Sequence, residues 1–241
     1  PPHPASMPSP RPTPEIVGHR GAPREHTENT LASFARALDL GADAIELDVH
    51  ATADGVAVVH HDPVPRARRA DGSPERRPIA ALTAQEVGGR RLDDGAAIPT
   101  LDAVLDLVGT RATAYVELKG AGVDPAVLAV LARHRTPAAV HSFDHRAVRR
   151  VSAARPGLHC GLLVASYLLD AAALLPAAGA RDLWQEWGWI DQPLVDAVHA
   201  VGGRVVAWTA NDPAAIAELA RMGVDAVCTD RPDVARSAAG A

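Results

Sequence analysis

Short apolar segments alternate with longer amphipathic segments over most of this chain. The short segments have the length and composition of buried strands, and the longer ones repeat apolar residues with the helical period of about 3.6 residues. The predicted strands are residues 16–19, 44–49, 114–118, 139–143, 159–164, 182–187, 204–208 and 225–229. The predicted helices are residues 30–40, 101–108, 125–134, 145–154, 168–175, 192–201 and 213–222. Alternation of this kind favours a parallel sheet, and eight strands predict an α/β fold of the TIM (β/α)8 barrel type.

The second predicted strand continues into a predicted β-hairpin. Glu46 and Asp48 are two residues apart on that strand, so both side chains project from the same face. Asp54 and Gly55 follow, a pair typical of two-residue hairpin loops because both positions require positive φ. With that loop, the returning arm places His61 opposite Asp48. The arm is therefore expected to extend strand 2 and not to form a ninth barrel strand.

Residues 62–99 interrupt the barrel pattern. They are rich in Pro and Arg, with a short helical pattern only near residues 80–87. We expect a small inserted cap above the barrel mouth, where loops commonly determine substrate choice; a solvated loop is the alternative. Residues 1–14 are proline-rich and are expected to form a flexible leader, which leaves residues 15–241 as a single barrel domain.

Composition disfavours several classes of partner. A net charge of -5 argues against nucleic acid, whose phosphates usually require a basic surface. No apolar run approaches the roughly 20 residues that span a bilayer, so stable membrane insertion is not expected. No apolar signal segment is recognisable, which favours a cytoplasmic location. The two cysteines lack metal-ligand spacing and are expected to be free thiols. These patterns leave the oligomeric state open.

In barrels of this type the active site lies at the carboxyl ends of the strands. The first three strands and the hairpin end in three carboxylates, two histidines and two cations: Glu46, Asp48, Glu117, His19, His61, Arg20 and Lys119. Carboxylates without thiolates favour one hard divalent cation, Mg²⁺ or Ca²⁺. The two cationic side chains suit a phosphate group, and histidines without a serine or cysteine nucleophile suit general acid and base catalysis.

The ends of the later strands and one unusual lysine provide further candidate residues for the site. Further polar or aromatic side chains follow strands four, six, seven and eight: Ser142, Asp144, Gln185, Glu186, Trp208, Asn211, Thr229 and Asp230. Lys119 is the only lysine in a chain with 24 Lys and Arg residues. Its position two residues after Glu117 favours a role that needs a compact point charge and not a planar guanidinium.

A series of short motifs runs through about residues 16–235 in a specific order. They are His19-Arg20-Gly21, Glu28-Asn29-Thr30, Glu46-Leu47-Asp48, His61-Asp62, Ile98-Pro99-Thr100-Leu101, Glu117-Leu118-Lys119, Ser142-Phe143, Trp208-Thr209, Asn211 and Thr229-Asp230. In order and spacing these motifs resemble those of the glycerophosphodiester phosphodiesterase family. The resemblance implies a metal-dependent TIM barrel that hydrolyses glycerophosphodiesters to glycerol 3-phosphate and an alcohol.

The resemblance also implies a role for each site residue. The metal ligands would be Glu46, Asp48 and Glu117, the acid/base pair His19 and His61, and the substrate-binding residues Arg20, Lys119 and Trp208. Whether the attacking oxygen belongs to water or to the neighbouring glycerol hydroxyl is left open.

The same residues are compatible with two other functions. The same site would serve a lysophospholipase D or a sphingomyelinase D-like enzyme if the mouth had an apolar entry. Residues 66–72 replace the Thr- and Gly-containing loop that the family commonly has, which leaves the substrate undetermined. An inactive barrel that only binds phosphodiesters is the alternative from another functional class.

Overall fold

Eight parallel strands close into a barrel, as the alternating pattern predicts. The computed structural model describes residues 13–240. The barrel strands are β1 (Glu15–His19), β2 (Ala44–Ala51), β6 (Thr113–Leu118), β7 (Ala138–Ser142), β8 (His159–Val164), β9 (Asp182–Glu186), β10 (Arg204–Trp208) and β11 (Ala226–Thr229). β1 pairs with both β2 and β11, which closes the sheet. The fold is a TIM barrel.

Helices cover the outside of the barrel. They are α1 (Leu31–Asp39), α3 (Leu101–Val108), α4 (Asp124–Leu131), α5 (His145–Ala154), α6 (Ala171–Ala178), α7 (Gln192–Ala200), α8 (Pro213–Met222) and α9 (Pro232–Ala239). All seven predicted helices are present. α6 begins three residues later than predicted because the Asp170 side chain accepts a hydrogen bond from Ala173 N and caps it there. α9 was not predicted, since its sequence buries only Pro232 and Ala235.

Among residues 13–240, no helix is both long and apolar enough to cross a membrane.

The strands present one face to the helices and the other to the barrel interior. A large apolar cluster lies between sheet and helices, and a smaller one fills the interior, with Tyr115 and Trp184 as its largest members. Their rings meet edge to face at a centroid distance of 5.1 Å. These side chains fill the middle of the barrel and separate the polar residues at its bottom from those at the mouth, where the carboxyl ends of the strands lie.

The hairpin after β2 differs from its predicted register. β3 (Ala57–Val59) pairs antiparallel with the end of β2, but the loop has three residues, 53–55, with Gly55 at φ 78°. Asp54 Oδ1 accepts hydrogen bonds from the Thr52 hydroxyl at 2.6 Å and from Ala84 N at 2.9 Å, which stabilises the wider loop. The two-residue loop and the pairing of Asp48 with His61 were therefore wrong. His60 N, not His61, bonds Asp48 O at 2.9 Å.

The segment after the hairpin forms a small substructure of its own. It contains β4 (Ala67–Arg68), a 3₁₀ turn (Ile79–Ala81), α2 (Ala84–Gly88) and β5 (Arg91–Leu92). Its apolar residues form a separate buried cluster that includes hairpin residue Val58: Ala67, Ile79, Leu82, Val87, Leu92 and Ile98. An apolar core of this kind distinguishes the segment from a solvated loop.

Candidate active site

The barrel mouth holds a cavity lined by most of the predicted site residues. Its walls are His19, Arg20, Glu46, His61, Glu117, Lys119, His141, Phe143, Leu163, Trp184, Trp208 and Cys228. Strand register explains the convergence: His19 lies beside Glu46, and Asp48 lies beside Glu117. Side chains on alternate positions of neighbouring strands point to the same face, so these four groups project into the mouth together.

A second cavity opens at the opposite end of the barrel. Four of the ionisable groups in its lining are paired, with Arg204 Nη2 at 2.8 Å from Glu15 Oε2 and His199 Nε2 at 2.8 Å from Asp225 Oδ2. The amino-terminal face of such barrels generally serves stability, and we assign no site there.

Three buried carboxylates lie in the mouth. Burial raises the pKa of Glu46 well above its usual value, and the neighbouring charges of Asp48 and Glu117 raise it further. Burial and Asp48 likewise raise the pKa of Glu117 to about 7. Carboxylates that repel one another in this way favour a bound cation, which lowers the cost of keeping them charged.

Asp48 is held more tightly than the other two carboxylates. Asn29 Nδ2 donates to Asp48 Oδ2 at 2.8 Å, and Asp48 N donates to Asn29 Oδ1 at 3.2 Å. Arg20 Nε lies 3.1 Å from Oδ2, and Lys119 Nζ lies 3.2 Å from Oδ1. Burial alone would raise the pKa of Asp48, but Lys119, Arg20 and Asn29 outweigh it and lower the pKa below its usual range. The sequence predicts no separate role for Asn29 of the Glu28-Asn29-Thr30 motif; its positive φ of 57° and its fixed amide identify it as the residue that orients Asp48.

The two predicted cations lie against the carboxylates. Lys119 Nζ is 2.7 Å from Glu117 Oε1 and bridges to Asp48. Arg20 N donates to Glu46 Oε2 at 3.1 Å, and its guanidinium bonds both oxygens of Glu28 at 3.0 and 3.1 Å. Both side chains are about four-fifths buried. They concentrate positive charge at the wall of the cavity, where a phosphate would be attracted.

Each predicted catalytic histidine is anchored through Nδ1 by a carboxylate. His19 Nδ1 lies 2.7 Å from Asp230 Oδ1, and His61 Nδ1 lies 2.8 Å from Asp62 Oδ1. Asn211 Nδ2 donates to the second oxygen of Asp230 at 2.9 Å. A carboxylate at Nδ1 favours the tautomer with its proton there and leaves Nε2 for proton transfer. His61 reaches the mouth although the predicted register was wrong, because β3 ends at Val59 and the chain then bends.

Sequence reasoning missed His141. The imidazole is 1% exposed, lines the cavity, and places Nε2 3.8 Å from Glu46 Oε1. Ser142, which was predicted to lie at the mouth from the same strand, is used within the sheet: its Oγ donates to Leu118 O at 2.9 Å. Alternation of side chains along β7 would have identified His141, because it shares the inward face of Ala139 and Phe143.

Aromatic side chains form one rim of the cavity. Trp208, predicted to bind substrate, donates from Nε1 to Trp184 O at 2.9 Å and meets Phe143 edge to face at 5.5 Å. Phe143 is 49% exposed, whereas Trp184 is buried beneath the site. Trp187 and Trp189 are exposed on the 3₁₀ turn after β9.

The donor set fits a divalent cation. Glu46, Glu117 and His141 each offer a ligand atom, and these atoms lie within 4.8 Å of one another. Asp48 Oδ1 is buried beside these groups, and Lys119 Nζ lies 3.2 Å from it. Oxygen ligands from carboxylates are the donors that hard divalent cations prefer.

Comparison with known proteins agrees with this geometry. The profile of the glycerophosphoryl diester phosphodiesterase family matches residues 19–234. A glycerophosphodiester phosphodiesterase of Caldanaerobacter subterraneus is 29% identical over 236 residues, covering 90% of this chain and 94% of that protein. The crystal structure of a glycerophosphodiester phosphodiesterase from Agrobacterium tumefaciens has a TM-score of 0.79 at 30% identity, covering 93% and 99% of the two chains. An Oleispira antarctica phosphodiesterase, solved in complex with the product sn-glycerol-3-phosphate, has a TM-score of 0.85 at 26% identity, covering 95% and 98%. The chain therefore belongs to the glycerophosphoryl diester phosphodiesterase family of enzymes.

Proposed function

We propose that this protein hydrolyses glycerophosphodiesters to glycerol 3-phosphate and an alcohol, using one divalent cation, Mg²⁺ or Ca²⁺, and two histidines. One observation carries the proposal: a single cavity is lined by buried carboxylates and by two histidines, each of which is held by a further carboxylate at Nδ1. Family membership and the product bound by the Oleispira antarctica phosphodiesterase support the substrate class.

Glu46, Asp48 and Glu117 would hold the cation. Bound there, the cation supplies positive charge that neutralises the phosphodiester and stabilises its transition state. Arg20 and Lys119 add to this charge from the same side of the cavity, since each lies within 3.2 Å of Asp48. Trp208 contributes an apolar wall for the carbon-bearing part of the substrate.

His19 and His61 would move the protons. One Nε2 removes the proton of the attacking oxygen as its bond to phosphorus forms, and the other Nε2 protonates the leaving alkoxide as its bond to phosphorus breaks. The net change is the transfer of one proton from nucleophile to leaving group. General acid and base catalysis of this kind contributes on the order of 10²–10⁴ in rate for each group.

An activity panel tests the proposal. Purified protein is assayed with glycerophosphocholine, glycerophosphoethanolamine and glycerophosphoglycerol, each with Mg²⁺, Ca²⁺ or a chelator, and glycerol 3-phosphate is measured. We expect release that depends on the metal and disappears with the chelator. Binding of these diesters without any release would instead identify an inactive binding barrel.

A lipid phosphodiesterase is the second candidate, because Phe143 and Trp208 give the cavity an apolar rim. Lysophosphatidylcholine distinguishes it from the first candidate. If turnover of lysophosphatidylcholine exceeds that of glycerophosphocholine, the natural substrate is a lipid.

A further inference from the structure

We propose that His141 is a ligand of the divalent cation, together with Glu46 and Glu117, and that it biases the site toward cations that accept nitrogen. The inference rests on the metal dependence proposed above. The metal ligands predicted from the sequence motifs are all carboxylates, and His141 would add an imidazole to them.

The spacing of the three groups fits a single ion. Their ligand atoms lie within 4.8 Å of one another. Metal–ligand bonds of about 2.0–2.6 Å keep two ligands of one ion within about 5 Å. Register produces this spacing, because Glu117 and His141 are partners in the β6–β7 pair.

The imidazole is available for coordination. His141 is 1% exposed, and its Nδ1 is buried without a hydrogen-bond partner among residues 13–240. Nε2 lies 3.8 Å from Glu46 Oε1, beyond hydrogen-bond distance. A buried imidazole nitrogen without a hydrogen bond costs stability. Coordination would give one of the two ring nitrogens a partner that residues 13–240 do not supply.

The orientation of the ring is set by packing. His141 stacks on Trp184 with a centroid distance of 4.1 Å and an interplanar angle of 5°. Trp184 occupies space left by Gly161, where an added Cβ would lie 2.7 Å from the indole Cδ1. Gly161 is itself the register partner of His141. A missing side chain on β8 thus lets the indole lie flat against the imidazole and hold it beside Glu46.

A nitrogen ligand changes which cations bind well. Carboxylates and water suit Mg²⁺, Ca²⁺ and Mn²⁺, whereas imidazole suits Zn²⁺, copper, iron and nickel. With His141 as a ligand, we expect Zn²⁺ to be favoured over Mg²⁺ more strongly than a purely carboxylate site would favour it.

Pulsed electron paramagnetic resonance of Mn²⁺ tests the ligand directly. Metal-free protein is loaded with Mn²⁺, and coupling of the metal to ¹⁴N is recorded. We expect imidazole coupling in wild type, no coupling in His141→Gln, and unchanged coupling in the control His61→Gln. Coupling that persists in His141→Gln, or that is lost in His61→Gln, overturns the inference. Mn²⁺ binding without nitrogen coupling in wild type also overturns it while leaving metal dependence intact.

Calorimetric titration gives an independent measure. We expect His141→Gln to lower Zn²⁺ affinity by about tenfold or more and Mg²⁺ affinity by much less. His141→Phe keeps an aromatic ring against Trp184 and should lose Zn²⁺ affinity to a similar extent. Equal losses for Zn²⁺ and Mg²⁺ in both variants, or full retention in His141→Phe, would mean that the ring only packs. No binding of any cation by wild type would refute both the inference and the metal-dependent mechanism.

Discussion

At the scale of single residues, the site is a set of charges that stabilise one another. Lys119 lies within 3.2 Å of both Asp48 and Glu117. Burial alone would lower the pKa of this lysine, but the two carboxylates outweigh it and raise the pKa, so Lys119 stays charged. Each of the two histidines also has a carboxylate partner, which lies within 2.8 Å of its Nδ1.

The first prediction concerns the acid/base pair. His19→Ala and His61→Ala should each lower kcat by about 10²–10⁴, while Mn²⁺ affinity measured by titration stays close to that of wild type. Glu46→Ala should instead lose metal affinity. Wild-type turnover in His61→Ala would remove this residue from the mechanism.

The second prediction concerns Asp230, which we expect to position His19. Asp230→Asn removes the charge that favours a proton on Nδ1 of His19, so kcat should fall by at least about tenfold with little change in KM. Arg24→Gln serves as the matched control, because the Arg24 side chain is 63% exposed and its contact with the other oxygen of Asp230 is long, at 3.4 Å. Equal kinetics for wild type and Asp230→Asn would assign Asp230 a purely structural role.

At the scale of elements, the inserted segment depends on one buried ion pair. The Glu75 side chain is 1% exposed and lies 2.7 Å from Arg90, whose side chain is 11% exposed. Arg76 N and Arg77 N also donate to its carboxylate at 2.9 and 3.0 Å. Burial alone would raise the pKa of Glu75, but these donors outweigh it and lower the pKa to about 2.

The third prediction follows from this pair. Glu75→Gln leaves the Arg90 guanidinium buried without its counter-charge, which should destabilise the segment by about 3 kcal/mol. Hydrogen exchange of the β4 and β5 amides measures the change. Asp93→Asn is the control, because its pair with Arg68 is exposed on both sides and should contribute less than about 1 kcal/mol.

The same pair predicts a pH dependence. A carboxyl whose pKa is lower in the folded state stabilises that state above its unfolded pKa, and the contribution is lost as pH falls toward the folded value. Protection of the β4 and β5 amides should therefore decline between about pH 4.5 and pH 2. In Glu75→Gln the decline over this range should be smaller; an unchanged decline would place its origin elsewhere.

At the scale of the whole molecule, the interior and the mouth of the barrel are filled by different kinds of side chain. The lower interior is filled by Tyr115 and Trp184. The Tyr115 hydroxyl, Glu15 and Arg204 close the bottom through hydrogen bonds of 2.8 to 3.2 Å. The mouth instead concentrates buried carboxylates, whose mutual repulsion costs stability when no cation is bound.

The fourth prediction concerns the repulsion among the buried carboxylates of the mouth. Glu46→Gln removes one of the repelling charges, so the metal-free variant should melt about 2–4 °C above metal-free wild type. Its Tm should respond less to added Mn²⁺, because fewer ligands remain to couple binding to folding. Differential scanning calorimetry with and without Mn²⁺ checks both effects. A lower Tm for metal-free Glu46→Gln would mean that hydrogen bonding by Glu46 outweighs the repulsion.

Local patterns in the sequence determined the barrel and most of its mouth. Alternation of apolar segments located all eight barrel strands, and spacing of two residues placed Glu46 with Asp48 and Glu117 with Lys119 on inward faces. These features depend on the period of the strand, which is a property of the backbone. A short polar helix such as α9 was missed because its apolar signal is weak.

Only the tertiary structure decided the contacts between distant segments. His19 and Asp230 are 211 positions apart, and the sequence does not state which carboxylate reaches which histidine. The hairpin register was decided by Asp54, which bonds Thr52 and also Ala84 of the inserted segment. Alternation along β7 turns His141 toward the mouth, but Gly161 and Trp184 from the next two strands decide how its ring is oriented there. The two-residue period of a strand determines which side chains share a face, and it can be read within one segment of the sequence. The partner of each side chain depends on packing between segments that are distant in sequence, and these segments meet only when the chain folds.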